Sequence, residues 1–249
     1  MHIFPLQFIP HFMRDRNDGL ADFKSGQKNF AAKIRGTILA SLFQEGFILG
    51  VKRSKKPNTW EDHYARRAKK ERFPARSVFK LKEIQQKHRL IKKGHKVLDL
   101  GCAPGSWLLY AAELTGPDGR VVGVDLKPVT VSLPAHVRVF TADILNPDER
   151  LLADTGTGFN VVLSDMAPAT TGSRITDAAR SEALCRAALE IARKRLISGG
   201  SFVCKIFQGE DFKIFIDAVD KIFVRYKIYK PASSRKASRE IYVIAIEKY

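Results

Sequence analysis

At 249 residues the chain can hold one α/β domain with a substantial core plus an extension. Its 43 Lys and Arg against 26 Asp and Glu leave a formal charge of +17, which points to a polyanionic partner, nucleic acid before an anionic membrane surface. No run of about 18 apolar residues is present, so no membrane span is expected, and three scattered cysteines (Cys102, Cys185, Cys204) suit neither a disulfide framework nor a zinc site. A reduced, cytoplasmic setting follows.

Residues 1–50 read as an N-terminal extension. Met1 to Met13 is apolar but broken by His2, Pro5, Pro10 and His11, and it lacks the basic start and small-residue cleavage site of a signal peptide. Asp15, Asp18 and Asp22 argue against a transit peptide. Ile34, Ile38, Leu42 and Phe43 keep a loose helical period, consistent with an accessory helix. A plainer reading is a translated leader. Glu45-Gly46 is what a purine-rich ribosome-binding sequence encodes, and Leu49, three codons on, is a candidate start. Intact mass of the protein from its native host is then expected to begin near Leu49; a mass that requires residues 1–48 removes this idea.

Residues 51–72 form a basic arm, with nine Lys or Arg, three acids, and Trp60, His63 and Tyr64 interleaved. Cations beside rings suit RNA, since the charges meet phosphates and the rings stack on unpaired bases. The alternative is a solvated arm. The main domain, residues 73–249, then opens on a helix with Ser77 as N-cap and Val78, Leu81 and Ile84 as its inward stripe. Lys80 lies near that stripe, an odd place for a solvated lysine.

Lys96 to Trp107 reads as a buried strand, a Gly/Pro turn and a helix opening at Ser106, the arrangement that seats a cofactor over the first strand of an open α/β sheet. The next strand ends at Asp125, twenty positions after Gly105, where a carboxylate can take both hydroxyls of an adenosine ribose. The turn lacks the G-x-G-x-x-G amides that cradle a pyrophosphate, and Pro104 has no amide to offer. A cofactor with a ribose and no phosphate fits better, and S-adenosyl-L-methionine is the common one. Any βα turn with two glycines remains the alternative.

Further strands are expected at 137–141, 160–164, 201–207, 224–230 and 240–246, with helices over 172–196 and 211–223. The longer helix is read with Ala178, Ala183, Ala187 and Ile191 inward and a stop at Gly199-Gly200. Alternating units predict a mainly parallel sheet wrapped by helices, with a closing pair at the end. Two charges sit where buried strands do not ordinarily carry them. Asp165 ends one strand and Lys205 lies inside another; Glu240 opens the last. A structural ion pair is one explanation. The other is methyl transfer to a hydroxyl, in which a lysine made neutral by burial or by a nearby cation such as Lys80 takes the proton. Asp165 would hold the amine in line and Glu240 would balance charge; no metal is needed. Transferases acting on exocyclic amines use an aromatic ring after a Pro-Pro pair, which Asp165-Met-Ala-Pro168 lacks. Those acting on cytosine carbon need a nucleophilic cysteine, and period two turns Cys204 away from Lys205.

Five segments together resemble the FtsJ/RrmJ family of RNA ribose 2′-O-methyltransferases. They are Ser77-Val-Phe-Lys-Leu81, Leu98 to Trp107, Leu163 to Pro168, Gly199 to Gly209 and Lys230 to Glu240. The resemblance spans about Arg72 to the C-terminus. It implies an α/β, Rossmann-like methyltransferase fold with a seven-stranded sheet and helices on both faces. By the same resemblance Lys80, Asp165, Lys205 and Glu240 are the catalytic tetrad, with Lys205 as proton acceptor. Gly105, Trp107, Asp125, Asp143 and Asp165 hold S-adenosyl-L-methionine, Asp143 taking the adenine amino group. The implied substrate is a ribose, of a uridine, in large-subunit ribosomal RNA, and the implied form a monomer. A transfer RNA methyltransferase and a non-catalytic RNA-binding assembly factor are the rivals; intact Lys80, Asp165, Lys205 and Glu240 speak against the second. The basic stretch Tyr226 to Arg239, which has no acid, would flank the cleft with the arm and steer RNA into it.

Overall fold

The structure is a computed structural model that describes residues 59–146, 155–169, 171–209 and 211–249. The N-terminal extension, the proposed start at Leu49 and the first part of the basic arm lie outside the described residues.

Two helices precede the sheet: α1 (Thr59–Lys70) and α2 (Val78–His88). The basic arm is therefore helical from Thr59, and Tyr64 packs against Phe79 of α2 with ring centroids 5.2 Å apart. Ala68, Phe73, Val78 and Phe79 form a small core of their own here. Ser77 stands at the α2 N-cap position, yet its side chain makes no cap bond. Its carbonyl instead accepts the indole N–H of Trp107 at 2.9 Å.

The alternating units follow as β1 (Lys96–Leu100), α3 (Ser106–Thr115), β2 (Arg120–Asp125), β3 (Val137–Thr141), β4 (Phe159–Ser164), α4 (Arg174–Arg195), β5 (Leu196–Phe207), α5 (Phe212–Asp220), β6 (Phe223–Tyr229) and β7 (Glu240–Lys248). They build a seven-stranded sheet in the order β3-β2-β1-β4-β5-β7-β6. All pairs are parallel as far as β5; β7 runs antiparallel to β5 and to β6. Strands covered on both faces read as near-continuous apolar runs, which is why β1, β2 and β4 stood out in the sequence. Each face has its own core. Cys204, Ile206 and Val243 face α4 and α5, whereas Val161, Leu163, Val203 and Tyr242 face α2 and α3.

Two expectations are corrected. Gly199-Gly200 does not end α4, which stops at Arg195 and passes directly into β5. The pair sits in a bulge: Phe159 pairs Leu196, and the next matched residues are Val161 and Ser201. Gly199 has φ +77, a left-handed backbone that a strand irregularity needs as much as a helix end does. The fully buried stripe of α4 is Ser181, Cys185, Ala188, Leu189 and Ala192; of the expected inward residues, Ala187 and Ile191 pack half-buried against that core, Ala178 is half-buried and Ala183 is exposed. Alanines on every side of the helix gave no contrast for a stripe to be read.

Candidate active site

The strand ends carry the site. β1 leads into the Gly101–Gly105 turn, β2 ends in Asp125, Asp143 follows β3 and Asp165 follows β4. A cavity of about 540 Å³ opens over these ends, lined by Gly101, Asp125, Asp143, Asp165 and Pro168 among others. Gly105 and Trp107 are not among the residues lining it. Gly105 instead shapes the turn: its φ is +110, and a Cβ there would lie 2.8 Å from Val131 and 3.0 Å from Val129. Trp107 is buried, stacked on Tyr242 with centroids 6.0 Å apart, while its indole N–H holds Ser77.

Asp125 accepts the backbone N–H of Ala103 at 2.9 Å on one oxygen and that of Lys127 at 2.8 Å on the other. Asp143 accepts from Leu145 N–H at 2.9 Å and the Asn146 amide at 3.2 Å. Each carboxylate oxygen keeps a second lone pair for a ligand. Two oriented acceptors facing one cavity suit an adenosyl group, a ribose diol on Asp125 and an exocyclic amine on Asp143.

The four displaced charges meet for a reason of register. Lys205 pairs Tyr242 across β5 and β7, and Leu163 pairs Val203 across β4 and β5. Counting by two, Asp165, Lys205 and Glu240 then project on one face, the face that α2 covers. The α2 stripe of Leu81 and Ile84 is buried there, bringing Lys80 over the strand ends. The Oγ of Ser106, at the start of α3, fixes the chain entering α2. It accepts Ala75 N–H at 2.7 Å and donates to Ala75 O at 3.1 Å.

Lys205 Nζ lies 2.9 Å from Asp165 Oδ1 and donates to the Asp165 carbonyl at 2.5 Å. Lys80 Nζ lies 2.7 Å from Glu240 Oε1 and 4.0 Å from Asp165 Oδ1. Side-chain exposures of only 7% for Lys205 and 15% for Asp165 keep this pair largely shielded from water. Tyr242, which sequence reasoning assigned no role, donates its hydroxyl to Asp165 Oδ1 at 2.6 Å. Its signal was the same period of two, counted on from Glu240.

Residues 73–248 match the FtsJ-like methyltransferase family. This chain belongs to that family. The methyltransferase is 56% identical over 193 residues to a Desulforapulum autotrophicum protein named ribosomal RNA large subunit methyltransferase E, covering 78% of this chain and 95% of the relative. A Desulfatibacillum aliphaticivorans protein of the same name is 52% identical, with 79% and 95% covered. A solved Plasmodium falciparum structure described as a ribosomal RNA methyltransferase superposes with a TM-score of 0.62 at 24% identity, over 71% of this chain and 98% of that one. That likeness carries the fold. Family membership makes this chain a methyltransferase using a methyl donor of the S-adenosylmethionine type.

Electrostatics within the methyltransferase divide its acids. Burial pushes Asp165 up, but the ammonium groups of Lys205 and Lys80 and the bonds from Tyr242 and Lys205 outweigh it, holding the carboxyl below its usual range. Burial, then the charges of Asp165 and Glu240, push the Tyr242 phenol well up, so it stays a donor. Asp99 behaves oppositely. It is fully buried, neither oxygen has a hydrogen-bond partner among the described residues, and burial, then Asp165 and Asp125, drive it well above the ordinary 3.8. The uncharged acid is favoured in the folded chain. As pH rises above 3.8 the unfolded chain ionises at this residue and the folded one resists, so stability is lost there. Asp99→Asn is therefore expected to gain on the order of 1–2 kcal/mol over wild type at pH 8 and little at pH 4. Thermal unfolding at the two pH values checks it; an equal difference at both would contradict the protonation.

All three cysteines are buried, and the Cys185 thiol donates to the Lys205 carbonyl at 3.1 Å. Among the described residues no group of His, Cys, Asp and Glu is arranged to hold a metal, and no helix is long and apolar enough to cross a membrane.

Proposed function

We propose that this methyltransferase moves a methyl group from S-adenosyl-L-methionine to a ribose 2′-hydroxyl, of a uridine, in large-subunit ribosomal RNA, with Lys205 as the general base. The relatives' name supports the substrate, and the net charge of +17 supports a polyanion. In this reading the enzyme is a cytoplasmic monomer, and residues 51–72 with the acid-free segment Tyr226–Arg239, the end of β6 and the loop after it, guide RNA toward the cleft.

The observation that carries the chemistry is the pair of contacts made by Lys205. A neutral amine has two N–H bonds and one lone pair. The Asp165 carboxylate and carbonyl, 2.9 and 2.5 Å away, take both N–H bonds and fix the lone pair in the remaining direction. A hydroxyl placed there loses its proton to Nζ as its oxygen attacks. Bound S-adenosyl-L-methionine supplies the methyl on a positively charged sulfur, which leaves as a neutral thioether. With Lys205 neutral, the group of Lys80, Asp165, Lys205 and Glu240 carries one net negative charge. Receiving the proton makes it neutral, so the surroundings favour the transfer. Asp125 and Asp143 orient the adenosyl group over the strand ends.

Asp125→Ala is expected to weaken cofactor binding on the order of 10- to 100-fold, since a buried ligand diol loses its charged acceptor. Isothermal titration with S-adenosyl-L-methionine checks it; unchanged affinity removes Asp125 from the site. The whole reading is tested with the purified protein, radiolabelled donor, and either large ribosomal subunits or transfer RNA. Label recovered as a 2′-O-methylnucleoside from large-subunit RNA is expected. Label in transfer RNA alone would move the substrate, and label on a base would overturn the reaction.

A further inference from the structure

Glu83 is a carboxylate that the reaction does not use, and it ties the loop delivering Glu240 to the helix delivering Lys80. It sits on α2 three residues beyond Lys80. Its two oxygens accept Ala232 N–H at 2.6 Å and Ser233 N–H at 2.8 Å, and the Tyr229 hydroxyl donates to it at 3.3 Å. Arg76, four residues before Lys80, donates to the Ser233 carbonyl at 2.8 Å. The segment Tyr229–Ser234 is thus gripped on both sides of Lys80, and it leads into the chain that ends at Glu240.

This junction has little polar surplus. Nη1 of Arg76 and the hydroxyls of Ser233 and Ser234 are buried without a hydrogen-bond partner among the described residues. Hydrogen bonds to a charged acceptor are about twice as strong as neutral ones, so the carboxylate contributes an unusual share of its cohesion. Removing it would also leave the buried Ser233 amide unpaired. Within the same region Lys230 Nζ closes the loop onto Ser238 O at 2.8 Å, and Arg239 holds Gln208 O at 2.6 Å. The loop is therefore internally braced. Its placement on α2 is what Glu83 supplies.

We propose that Glu83 is a positioning residue for methyl transfer. By fixing the β6–β7 loop on α2 it sets the 2.7 Å contact between Lys80 and Glu240, and through it the charge beside Lys205. Glu83 is not among the residues lining the cavity bounded by Asp125 and Asp143. The inference rests on the reading of Lys205 as base, and its failure is separable: an inactive wild type would defeat that reading, whereas this proposal is judged between variants of an active one.

The test is steady-state methylation of ribosomal RNA by Glu83→Ala, Glu83→Gln, Glu240→Gln and the double variant Glu83→Ala/Glu240→Gln. Glu83→Ala is expected to lower kcat at least 10-fold with KM for RNA and for the donor within 2-fold. Glu83→Gln, which keeps one acceptor oxygen and guards against a failure to fold, is expected to fall between. In the Glu240→Gln background, where the positioned pair is already broken, Glu83→Ala is expected to cost under 3-fold. Wild-type kcat in Glu83→Ala would overturn the proposal. So would the same 10-fold cost in both backgrounds, or a loss confined to KM or thermal stability, because a merely structural bond acts regardless of Glu240.

Discussion

Lys205→Ala is expected to leave S-adenosyl-L-methionine affinity unchanged and to lower kcat by on the order of 10³-fold, the range that general-base catalysis supplies. The two effects separate because Lys205 does not line the cavity bounded by Asp125 and Asp143. Its side chain lies against Asp165, on the face of the sheet that α2 covers. In the proposed mechanism, deleting it removes the proton acceptor and leaves the cavity over the strand ends as it was. Lys205→Arg is expected to fail as well, since a guanidinium stays charged and has no lone pair to offer. Titration calorimetry and single-turnover methylation check the split. Turnover within a few fold of wild type in Lys205→Ala would remove this residue as the base.

Asp165→Asn is the second large expected effect, and it acts on stability and rate together. The carboxylate faces Lys205 at 2.9 Å, Lys80 at 4.0 Å and the Tyr242 hydroxyl at 2.6 Å. Breaking a buried ion pair costs roughly 3–5 kcal/mol because it strands the partner's charge. Here Glu240 still balances Lys80, so the lower end of that range is expected. The amide also keeps its own lone pairs but lacks the charge that balances Lys205. The lysine loses its orienting acceptor, and kcat is expected to fall by on the order of 10²-fold. The pH dependence has a definite sign. Since the folded carboxyl lies below the ordinary 3.8, its contribution is complete above that value and disappears as pH falls through the folded one. Urea unfolding of wild type should therefore weaken below about pH 4, and Asp165→Asn should lack that limb of the curve. An identical acid limb in the variant would mean that the ion pair does not stabilise the fold.

Much of this architecture was legible because the strands speak plainly. Lys96–Leu100, Arg120–Asp125 and Phe159–Ser164 are apolar runs closed by turn residues, and Asp165 and Lys205 stood out against such surroundings. Residues whose meaning depends on what lies opposite were not legible. Gly199-Gly200 is a helix-ending signal taken alone, and a bulge only once β4 sets the register. Trp107 belongs to the segment that carries cofactor residues in the resemblance, and nothing local in that segment shows that its indole packs on Ser77 and Tyr242, partners 30 and 135 positions away. Tyr242 and Glu83 look like ordinary strand and helix residues. Only the pairing of Lys205 with Tyr242, and the return of the chain from Tyr229 past α2, give them their contacts. Local pattern reveals an element and its displaced charges; which charges meet is a property of the sheet order.

The most direct measurement is ribose-methylation mapping of ribosomal RNA from native-host cells carrying either the wild-type chain or Lys205→Ala at equal abundance. The expected result is a single large-subunit 2′-O-methyl mark present with the first and absent with the second, all other marks unchanged. An unaltered mark with Lys205→Ala, or a lost mark that proves to be on a base, would contradict the assignment of Lys205 as the group that takes the ribose proton.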